Sequence, residues 1–428
     1  RRHREPGGLF ARLGWVWSRH VTIDLWLSIQ RLLFPRLWLP GFAWKQMVGP
    51  DSYAHDFPIR GMLWLSLTAD VREVLGRPET FEVIYGPRMQ RVTRPVDLPE
   101  SEEHATDSRE RGNFLLGMQD TPRYWRDISN MRLAFRREDS RRCGHLAERA
   151  SDSALQRLIR AHRQQHPAAG PMLLDLPVQL LMPAVEAVIN NYFGIPVPLR
   201  CEESEEGGGM AGSDLVDHDH TWLEAVFRYL FYDLKGDASL QLSDAAAPRV
   251  RHALQRIIRN AHLNADSHPT DTVLSRCLNL QRSGTPGMDD ETLRVNLTGF
   301  LVGAVTPLIN ASCQVMDVLL DRPEALAKAQ AAARLDQEQA PAAVRACLME
   351  ALRFQAGDPV IYRWTNADTW IGAGSQRGTV PRGTLVMAWN SSAMFDPASV
   401  VAPWEFRTDR HADAYMHWGH GQHSCAGA

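Results

Sequence analysis

The chain has few cysteines for its length, and they do not form a disulfide framework. Its 428 residues include six cysteines, and no Cys-x-x-Cys pair occurs among them. Secreted disulfide scaffolds concentrate cysteines at regular spacings, so scattered cysteines fit a reducing compartment better. We therefore expect a cytoplasmic protein.

The sequence also lacks a low-complexity linker and a strong excess of either charge. The formal net charge is −3, and hydrophobic residues make up 44% of the chain, which is enough for a substantial core. Length and composition agree with one large enzyme domain. We expect no nucleic-acid partner.

Long apolar runs are missing from the amino-terminal stretch. Between Leu9 and Trp44 the sequence is rich in Trp, Leu and Arg, but charged residues interrupt every apolar run, which excludes a signal peptide or a spanning helix there. Residues 1–45 are predicted to form an arm that packs against the body, with membrane contact at most peripheral. Residues 46–428 are predicted to form the catalytic domain.

The last twelve residues place one cysteine in a glycine-rich loop. Glycines permit positive φ and let the backbone lie close to a flat ligand, while Cys425 offers a single thiolate to a metal. Two other interpretations stay open, a Cys/His zinc site and a structural free cysteine. The zinc site would draw on four nearby histidines, 411, 417, 420 and 423. Zinc sites usually have a second ligand cluster elsewhere, which the sequence lacks.

This loop resembles the haem-binding loop of cytochromes P450, Phe-x-x-Gly-x-x-x-Cys-x-Gly. Trp418 stands at the position of the aromatic residue, and Gly421, Cys425 and Gly427 are in register. The resemblance implies that Cys425 ligates the iron of haem b, that Trp418 and Gly421 belong to the haem-binding loop, and that His423 contacts a haem propionate. It also implies a mainly α fold with small β-sheets, the cytochrome P450 fold.

Two upstream signals occur in the order found in P450s. Glu350 and Arg353 share one helix face, a pair that by itself is typical of any surface helix. About sixty residues later comes an arginine-containing segment that ends at Arg410, and the cysteine loop follows it. The resemblance implies that Glu350, Arg353 and Arg410 form a buried charge cluster that supports the haem loop.

Several residues are expected at the haem edge. Residues 360–365 alternate like a strand, and in the P450 comparison Arg363 falls where an arginine binds a propionate. An Asp-x-Pro sequence, Asp120 to Pro122, begins a helix that resembles the P450 helix at one haem edge. There Tyr124 replaces the usual histidine, so Trp125 or Arg126 becomes the expected propionate contact.

A basic run follows that helix. In most proteins such a run is a solvated face, whereas in P450s the corresponding surface docks a ferredoxin-like electron donor, which clustered positive charge attracts. The run consists of Arg132, Arg136, Arg137, Arg141 and Arg142.

Residues 295–316 contain no charged side chain and predict a central buried helix rather than a membrane span. In P450s this helix crosses the haem and carries an acid and a threonine that deliver protons to dioxygen. Thr306 aligns with that threonine, but Val305 replaces the acid. Pro307 follows and is expected to open the helix locally, and Asn310 can reach the same face as Thr306.

The sequence therefore predicts a haem-thiolate monooxygenase that hydroxylates or epoxidises an apolar small molecule with dioxygen and two electrons. An aromatic helix over 219–234 is expected to roof the substrate pocket. One alternative is an electron-independent hydroperoxide isomerase or peroxygenase that acts on a fatty-acid-like substrate. With Val305, Pro307 and Asn310 on the central helix, the chain resembles the P450 halves of peroxidase-fused oxylipin enzymes, which carry an amide instead of an acid above the haem. Another alternative is a non-catalytic Cys/His metal- or haem-binding module.

P450s continue beyond the haem cysteine with a helix and a last sheet segment. This sequence ends three residues after Cys425 and does not begin with methionine. We therefore expect that its tail is missing and that its amino-terminal end is incomplete.

Overall fold

The computed structural model describes residues 31–40, 59–94, 113–166, 170–196, 220–232, 237–264, 271–336, 338–373 and 377–427. Helices dominate, and they are, in chain order, α1 (Thr68–Leu75), α2 (Gly86–Thr93), α3 (Pro122–Ala134), α4 (Ser140–Gln165), α5 (Met182–Val188), α6 (His220–Phe227), α7 (Asp237–Leu263), α8 (Val273–Arg282), α9 (Asp290–Leu320), α10 (Pro323–Ala333), α11 (Ala340–Phe354) and α12 (Asn390–Ala393). Wider helical turns flank α5 and follow α6, at Leu176–Leu181, Ile189–Phe193 and Arg228–Tyr232.

The strands form two small sheets. They are β1 (Arg36–Pro40), β2 (Gly61–Leu65), β3 (Phe81–Glu82), β4 (Ile361–Thr365), β5 (Thr369–Ile371), β6 (Gly378–Val380) and β7 (Thr384–Ala388). The larger sheet has the order β1-β2-β7-β4-β3, in which β2 and β7 are parallel and the other neighbours antiparallel. Strand β7 lies at its centre and is buried along its whole length, as a continuous apolar run predicts.

Helix α9 packs against several other helices of the described chain. Asp289 caps its start by accepting a hydrogen bond from the Thr292 amide, and the helix packs against α6, α7 and α11. Pro307 lies inside it without ending it. Proline removes one amide donor, but packing on several sides keeps the later turns helical. Among the described residues, α9 is the one helix long and apolar enough to cross a membrane, judged by length and composition alone.

The described part of the predicted arm lies against the body. Strand β1 pairs antiparallel with β2, and the Arg31 side chain donates hydrogen bonds to the hydroxyl of Ser392 and the carbonyl of Phe395. The other residues of the arm, 1–30 and 41–45, lie outside the described residues. The sequence boundary at residue 45 thus falls between two strands of one sheet.

The prediction of a mainly helical chain with small sheets is confirmed. The predicted central helix over 295–316 is part of α9, and the strand over 360–365 is β4. The aromatic helix predicted over 219–234 corresponds to α6 and the wider turns after it.

Leu297→Ala should destabilise the protein strongly because Leu297 is fully buried on α9. Truncation of a buried leucine leaves a cavity and costs about 2–5 kcal/mol of unfolding free energy. Leu320→Ala, at the exposed end of the same helix, should stay within about 0.5 kcal/mol of the parent. Chemical denaturation measures both, and equal losses would contradict this account of the core.

Candidate functional site

The carboxylate of Glu350 is the centre of a buried hydrogen-bonded cluster. Arg353, one helical turn later on α11, donates to both carboxylate oxygens at 2.6 and 3.1 Å. The Nε of Arg410 donates to the same oxygens at 3.0 and 3.2 Å. The backbone amide of Arg407 and the hydroxyl of Tyr415 complete the set. The structure thus brings together the three charged residues predicted from sequence.

Both arginines also hold the loop between α12 and the cysteine. Arg353 donates to the carbonyls of Pro403 and Met394, and Arg410 donates to the carbonyls of Ala402 and Glu405. Desolvation by itself would raise the pKa of Glu350, but the hydrogen bonds and charge of Arg353 and the bonds from the Arg407 amide and Arg410 outweigh it, so the pKa lies below its usual value. The one carboxylate and both guanidinium groups are all hydrogen-bonded, the arginines to Glu350 and to backbone carbonyls, which a buried ion cluster needs in order to persist.

The cysteine loop is folded by its own backbone and by two glycines. The amide of Cys425 donates to the carbonyl of Trp418 at 2.8 Å, so the backbones of these two residues close the loop. The Cys425 sulfur accepts a hydrogen bond from the Gly427 amide at 3.4 Å. His417 also ties the loop to α11 through the carbonyl of Met349, at 2.9 Å.

Position 421 needs a glycine for two reasons, its backbone conformation and the atoms packed against it. Its φ is +72°, and a Cβ there would lie 2.7 Å from the carbonyl oxygen of Leu75 at the end of α1. Glycine alone meets both demands without strain. The loop that carries Cys425 can therefore sit directly on the end of α1.

Cys425 is exposed to solvent, yet protein surrounds its sulfur. Desolvation raises the pKa of its thiol, and the Gly427 amide opposes this shift in part. The negative charge of Asp358 adds to the rise.

A buried cation and an unpartnered histidine lie beside the loop. Arg363 on β4 is 2% exposed, and its guanidinium donates to the carbonyl of Tyr362. Among the described residues it has no acidic partner, and desolvation lowers its pKa. His423 is buried, and its Nε2 has no hydrogen-bond partner in the described part of the chain. Desolvation, reinforced by the charge of Arg363, lowers the pKa of His423 to about 3.

Tyr124 joins this group, and sequence reasoning missed it. Its ring meets that of His423 edge-on, with centroids 4.8 Å apart, and its hydroxyl donates to the carbonyl of Gln422 at 2.7 Å. Trp125 and Arg126, the residues expected here from sequence, bond elsewhere: Trp125 to Asp120 and Arg126 to Asp127. The side chain that replaces the usual histidine is therefore the one that reaches the loop.

Helix α9 carries the other residues that the sequence predicted for the site. A Cβ added at Gly303 would meet no atom within 4 Å, so the helix leaves open space at this turn. Thr306 is 8% exposed, and Val305 is buried beside it. The side chain of Asn310, one turn later, lies near the hydroxyl of Tyr232, which donates to the carbonyl of Gly357 at 3.2 Å. Desolvation raises the pKa of Tyr232 to about 12.

Similarity to known proteins decides which family this arrangement belongs to. The cytochrome P450 family model matches residues 61–428. The chain belongs to the cytochrome P450 family. The P450 resemblance inferred from the cysteine loop is confirmed.

Curated relatives match parts of this P450 chain. YjiB of Bacillus subtilis (strain 168) is 39% identical over 79 residues, which are 18% of this chain and 19% of that protein. Psi-producing oxygenase A of Emericella nidulans is 24% identical over 283 residues, which are 62% of this chain and 25% of that protein. The chain thus spans about a fifth to a quarter of the length of these relatives.

Solved P450 structures share the fold. Ligand-free P450 TbtJ1 superimposes with a TM-score of 0.63 at 22% identity, over 95% of this chain and 84% of that one. P450BioI, in complex with an acyl carrier protein that carries hexadec-9Z-enoic acid, gives 0.59 at 17% identity, over 86% and 80% of the two chains. At such identities the likeness shows the fold, and the predicted P450 fold is confirmed.

The family implies a haem cofactor, and the residues of the site fit it. Haem is an iron porphyrin that carries two carboxylates. Arg363 is a buried cation without an acidic partner among the described residues, and His423 has a buried nitrogen without a hydrogen-bond partner there. Buried polar groups in native proteins normally have partners, and two carboxylates would supply them. Cys425 provides the single thiol that this family uses as its iron ligand.

The geometry gives the zinc alternative no support. The part of the chain that the structure describes contains no group of three or more His, Cys, Asp or Glu side chains able to hold a metal ion. Of the histidines near Cys425, His417 is bonded to α11, and His411 lies beside Asp413 at 3.0 Å.

The basic run lies on α3, α4 and the turn between them. Four of its arginines are exposed, whereas Arg142 is half-buried and donates to the carbonyls of Asp271 and Asn191. The exposed members are Arg132, Arg136, Arg137 and Arg141.

Glu350→Gln should destabilise the fold because it leaves Arg353 and Arg410 buried beside a neutral amide. Removal of one partner of a buried ion pair costs about 3–5 kcal/mol. Since folding lowers the pKa of Glu350, its stabilising effect is complete above the unfolded pKa of about 4.3 and is lost as pH falls through the lower, folded value. Denaturation midpoints across pH measure both effects.

Glu338→Gln, at an exposed position, is the matched control and should change stability by less than about 0.5 kcal/mol. If the Glu350→Gln variant had the parent's stability and acid sensitivity, the cluster would not hold the fold.

Gly421→Ala should lower stability more than Gly284→Ala does. Both glycines have positive φ, +72° and +76°, but a Cβ at Gly284 meets nothing within 4 Å. Backbone strain of about 1–2 kcal/mol is common to both, whereas the collision with Leu75 affects Gly421 alone. Thermal unfolding of the two variants separates these effects, and equal shifts would show that the loop does not rest on α1.

Proposed function

We propose that this P450 is a haem-thiolate monooxygenase that hydroxylates or epoxidises an apolar small molecule with dioxygen and two electrons. The observation that carries the proposal is the pair of buried polar groups beside the Cys425 loop: Arg363, which has no acidic partner among the described residues, and His423, whose Nε2 has no hydrogen-bond partner there. When bound, haem b would supply the oxygen-activating chemistry. A cytoplasmic location fits the scattered cysteines.

The chain's own residues would hold the cofactor from one edge and from below. Cys425 would bind the iron, while Arg363 and His423 would hold the propionates by a charge-assisted and a neutral hydrogen bond. Tyr124 would orient the ring of His423 through their edge-on contact. Glu350, Arg353 and Arg410 would fix the loop beneath.

Above the cofactor, Thr306 would hold a proton or a water at the oxygen site. Val305 cannot donate a proton, so Thr306 and ordered water carry that task in this proposal. The apolar residues of α6 and the turns after it, including Phe227 and Phe231, favour an apolar substrate body. Electrons would arrive from a ferredoxin-like donor at the exposed arginines of the basic run.

A second candidate is hydroperoxide isomerase or peroxygenase chemistry on a fatty-acid-like substrate. Val305 removes the usual acid, and Asn310 places an amide on the same helix, near the hydroxyl of Tyr232. An enzyme of this type takes its oxygen from the peroxide and needs no electron donor.

Cys425→Ala should abolish thiolate ligation. The reduced, carbon monoxide-bound parent should show the long-wavelength Soret band of thiolate-ligated haem, and the variant should lose it because no other cysteine of the described chain lies in the loop. Cys143→Ala, a half-buried cysteine on α4, should keep the band. A band that survives in the Cys425→Ala variant would contradict the assignment.

Thr306→Val should lower the amount of product formed per electron consumed, because valine keeps the shape but cannot hold a proton. Thr298→Val, at a buried position two turns earlier where the hydroxyl bonds to the Arg294 carbonyl, is the control and should leave the ratio unchanged. Product and NAD(P)H consumption are measured with a ferredoxin chain. A purified enzyme that turned over organic hydroperoxides but ignored the electron donor would favour the second candidate instead.

A further inference from the structure

Trp125 on α3 is an exposed aromatic residue whose contacts lead inward to the cysteine loop. Its side chain is 48% exposed, and its indole N–H donates to a carboxylate oxygen of Asp120 at 2.8 Å. The same oxygen accepts a hydrogen bond from the side-chain amide of Gln422 at 3.2 Å. Asp120 therefore ties Trp125, at the surface, to the loop that carries Cys425.

A row of aromatic rings follows the same direction. The ring of Trp125 meets that of Tyr124 edge-on, with centroids 5.4 Å apart. Tyr124 in turn meets His423 at 4.8 Å, and His423 stands two residues before Cys425. Tyr124 and His423 are buried, whereas Trp125 is half exposed. The row thus runs from solvent to the residues that would hold the haem edge.

The hydrogen bond to Asp120 makes Trp125 the member of the row that can lose an electron. Removal of an electron from an indole leaves a positive charge and makes its N–H strongly acidic. A carboxylate in contact with that N–H stabilises the charge and can accept the proton. The hydroxyl of Tyr124 donates instead to the carbonyl of Gln422, and a carbonyl is a poor base. A one-electron oxidation of the row would therefore leave the radical on Trp125.

Two other tryptophans are exposed to a similar extent but have different neighbours. Trp370 is 45% exposed, and the guanidinium of Arg377 lies 3.8 Å from its ring centroid. Trp404 is 49% exposed, and the guanidinium of Arg31 lies 6.0 Å from its ring centroid. A cation beside a ring opposes the loss of an electron from that ring. Trp125 differs from both because its indole N–H contacts a carboxylate.

We propose that Trp125 is a surface redox site at which the haem-loaded enzyme oxidises electron-rich aromatic molecules, such as phenols, that are too bulky to enter the protein. The oxidant is a hydroperoxide. This inference goes beyond the proposed function and rests on it only in requiring haem at Cys425.

A hydroperoxide becomes an alcohol and water by taking up two electrons and two protons. Trp125 supplies one electron at a time through the rings of Tyr124 and His423, while its N–H proton passes to Asp120 and then to water. A phenol at the surface restores the indole each time by giving it one electron and one proton. Two phenols are thus oxidised to phenoxyl radicals for each hydroperoxide that is reduced.

Electron paramagnetic resonance of the haem-loaded protein, frozen directly after mixing with tert-butyl hydroperoxide, tests the site. The parent should show an organic radical whose signal narrows when the tryptophan rings are deuterated. Trp125→Phe should lose that signal because phenylalanine has no N–H for Asp120 to accept. Trp404→Phe is the matched control, since its side chain is equally exposed, and it should keep the signal.

Asp120→Asn should weaken the same signal, because an amide carries no charge and takes up no proton. Asp152→Asn, at an exposed position on α4, is its matched control and should match the parent. If Asp120 only ties the start of α3 to the loop, its replacement would change stability but not the radical.

A phenol coupled to a long polyethylene glycol chain is the probe for the surface reaction. With tert-butyl hydroperoxide, the parent and the Trp404→Phe variant should oxidise it at equal rates. The Trp125→Phe variant should oxidise it at least about tenfold more slowly.

Absence of a tryptophan radical in the parent, or a radical that survives in the Trp125→Phe variant, would overturn the inference. If Trp125→Phe fails to bind haem, Asp120→Asn decides the question, and an unchanged radical there would equally count against the site. Failure of the proposed function is separate, because it shows as a missing thiolate-ligated Soret band in the reduced, carbon monoxide-bound protein before any hydroperoxide is added.

Discussion

The buried carboxylate of Glu350 connects the scaffold to the site. It accepts hydrogen bonds from Arg353 on its own helix and from Arg407, Arg410 and Tyr415 on the loop that leads to Cys425. A long loop without regular structure would otherwise lose much conformational entropy in holding one conformation. Because one desolvated anion gathers these donors, the position of the cysteine is determined by α11 and not by the loop alone.

The cysteine side of the site and helix α9 carry different chemical groups. The cysteine side supplies a thiol, a buried cation at Arg363 and, at His423, a nitrogen without a partner among the described residues, which together suit a flat ligand with one metal and two carboxylates. The side formed by α9 supplies open space at Gly303 and few polar groups, of which Thr306 is one. Polar groups are therefore concentrated on the cysteine side, where the cofactor of this family would be held.

Local patterns in the sequence predicted the parts of the site that depend on a short segment. The cysteine loop, the Glu350–Arg353 pair and the central helix each follow from spacing within one element. Contacts between segments about three hundred residues apart, such as Tyr124 with His423, leave no local pattern, so the sequence favoured the neighbouring Trp125 and Arg126.

The bond between the Cys425 sulfur and iron is the central claim, and resonance Raman spectroscopy observes such a bond directly. The ferric protein would be prepared with natural cysteine and with cysteine carrying a heavier sulfur isotope. We predict an iron–sulfur stretching band that shifts to lower frequency with the heavier isotope. A protein that binds haem but shows no isotope-sensitive band would have another iron ligand, and the account of the cysteine loop would be contradicted.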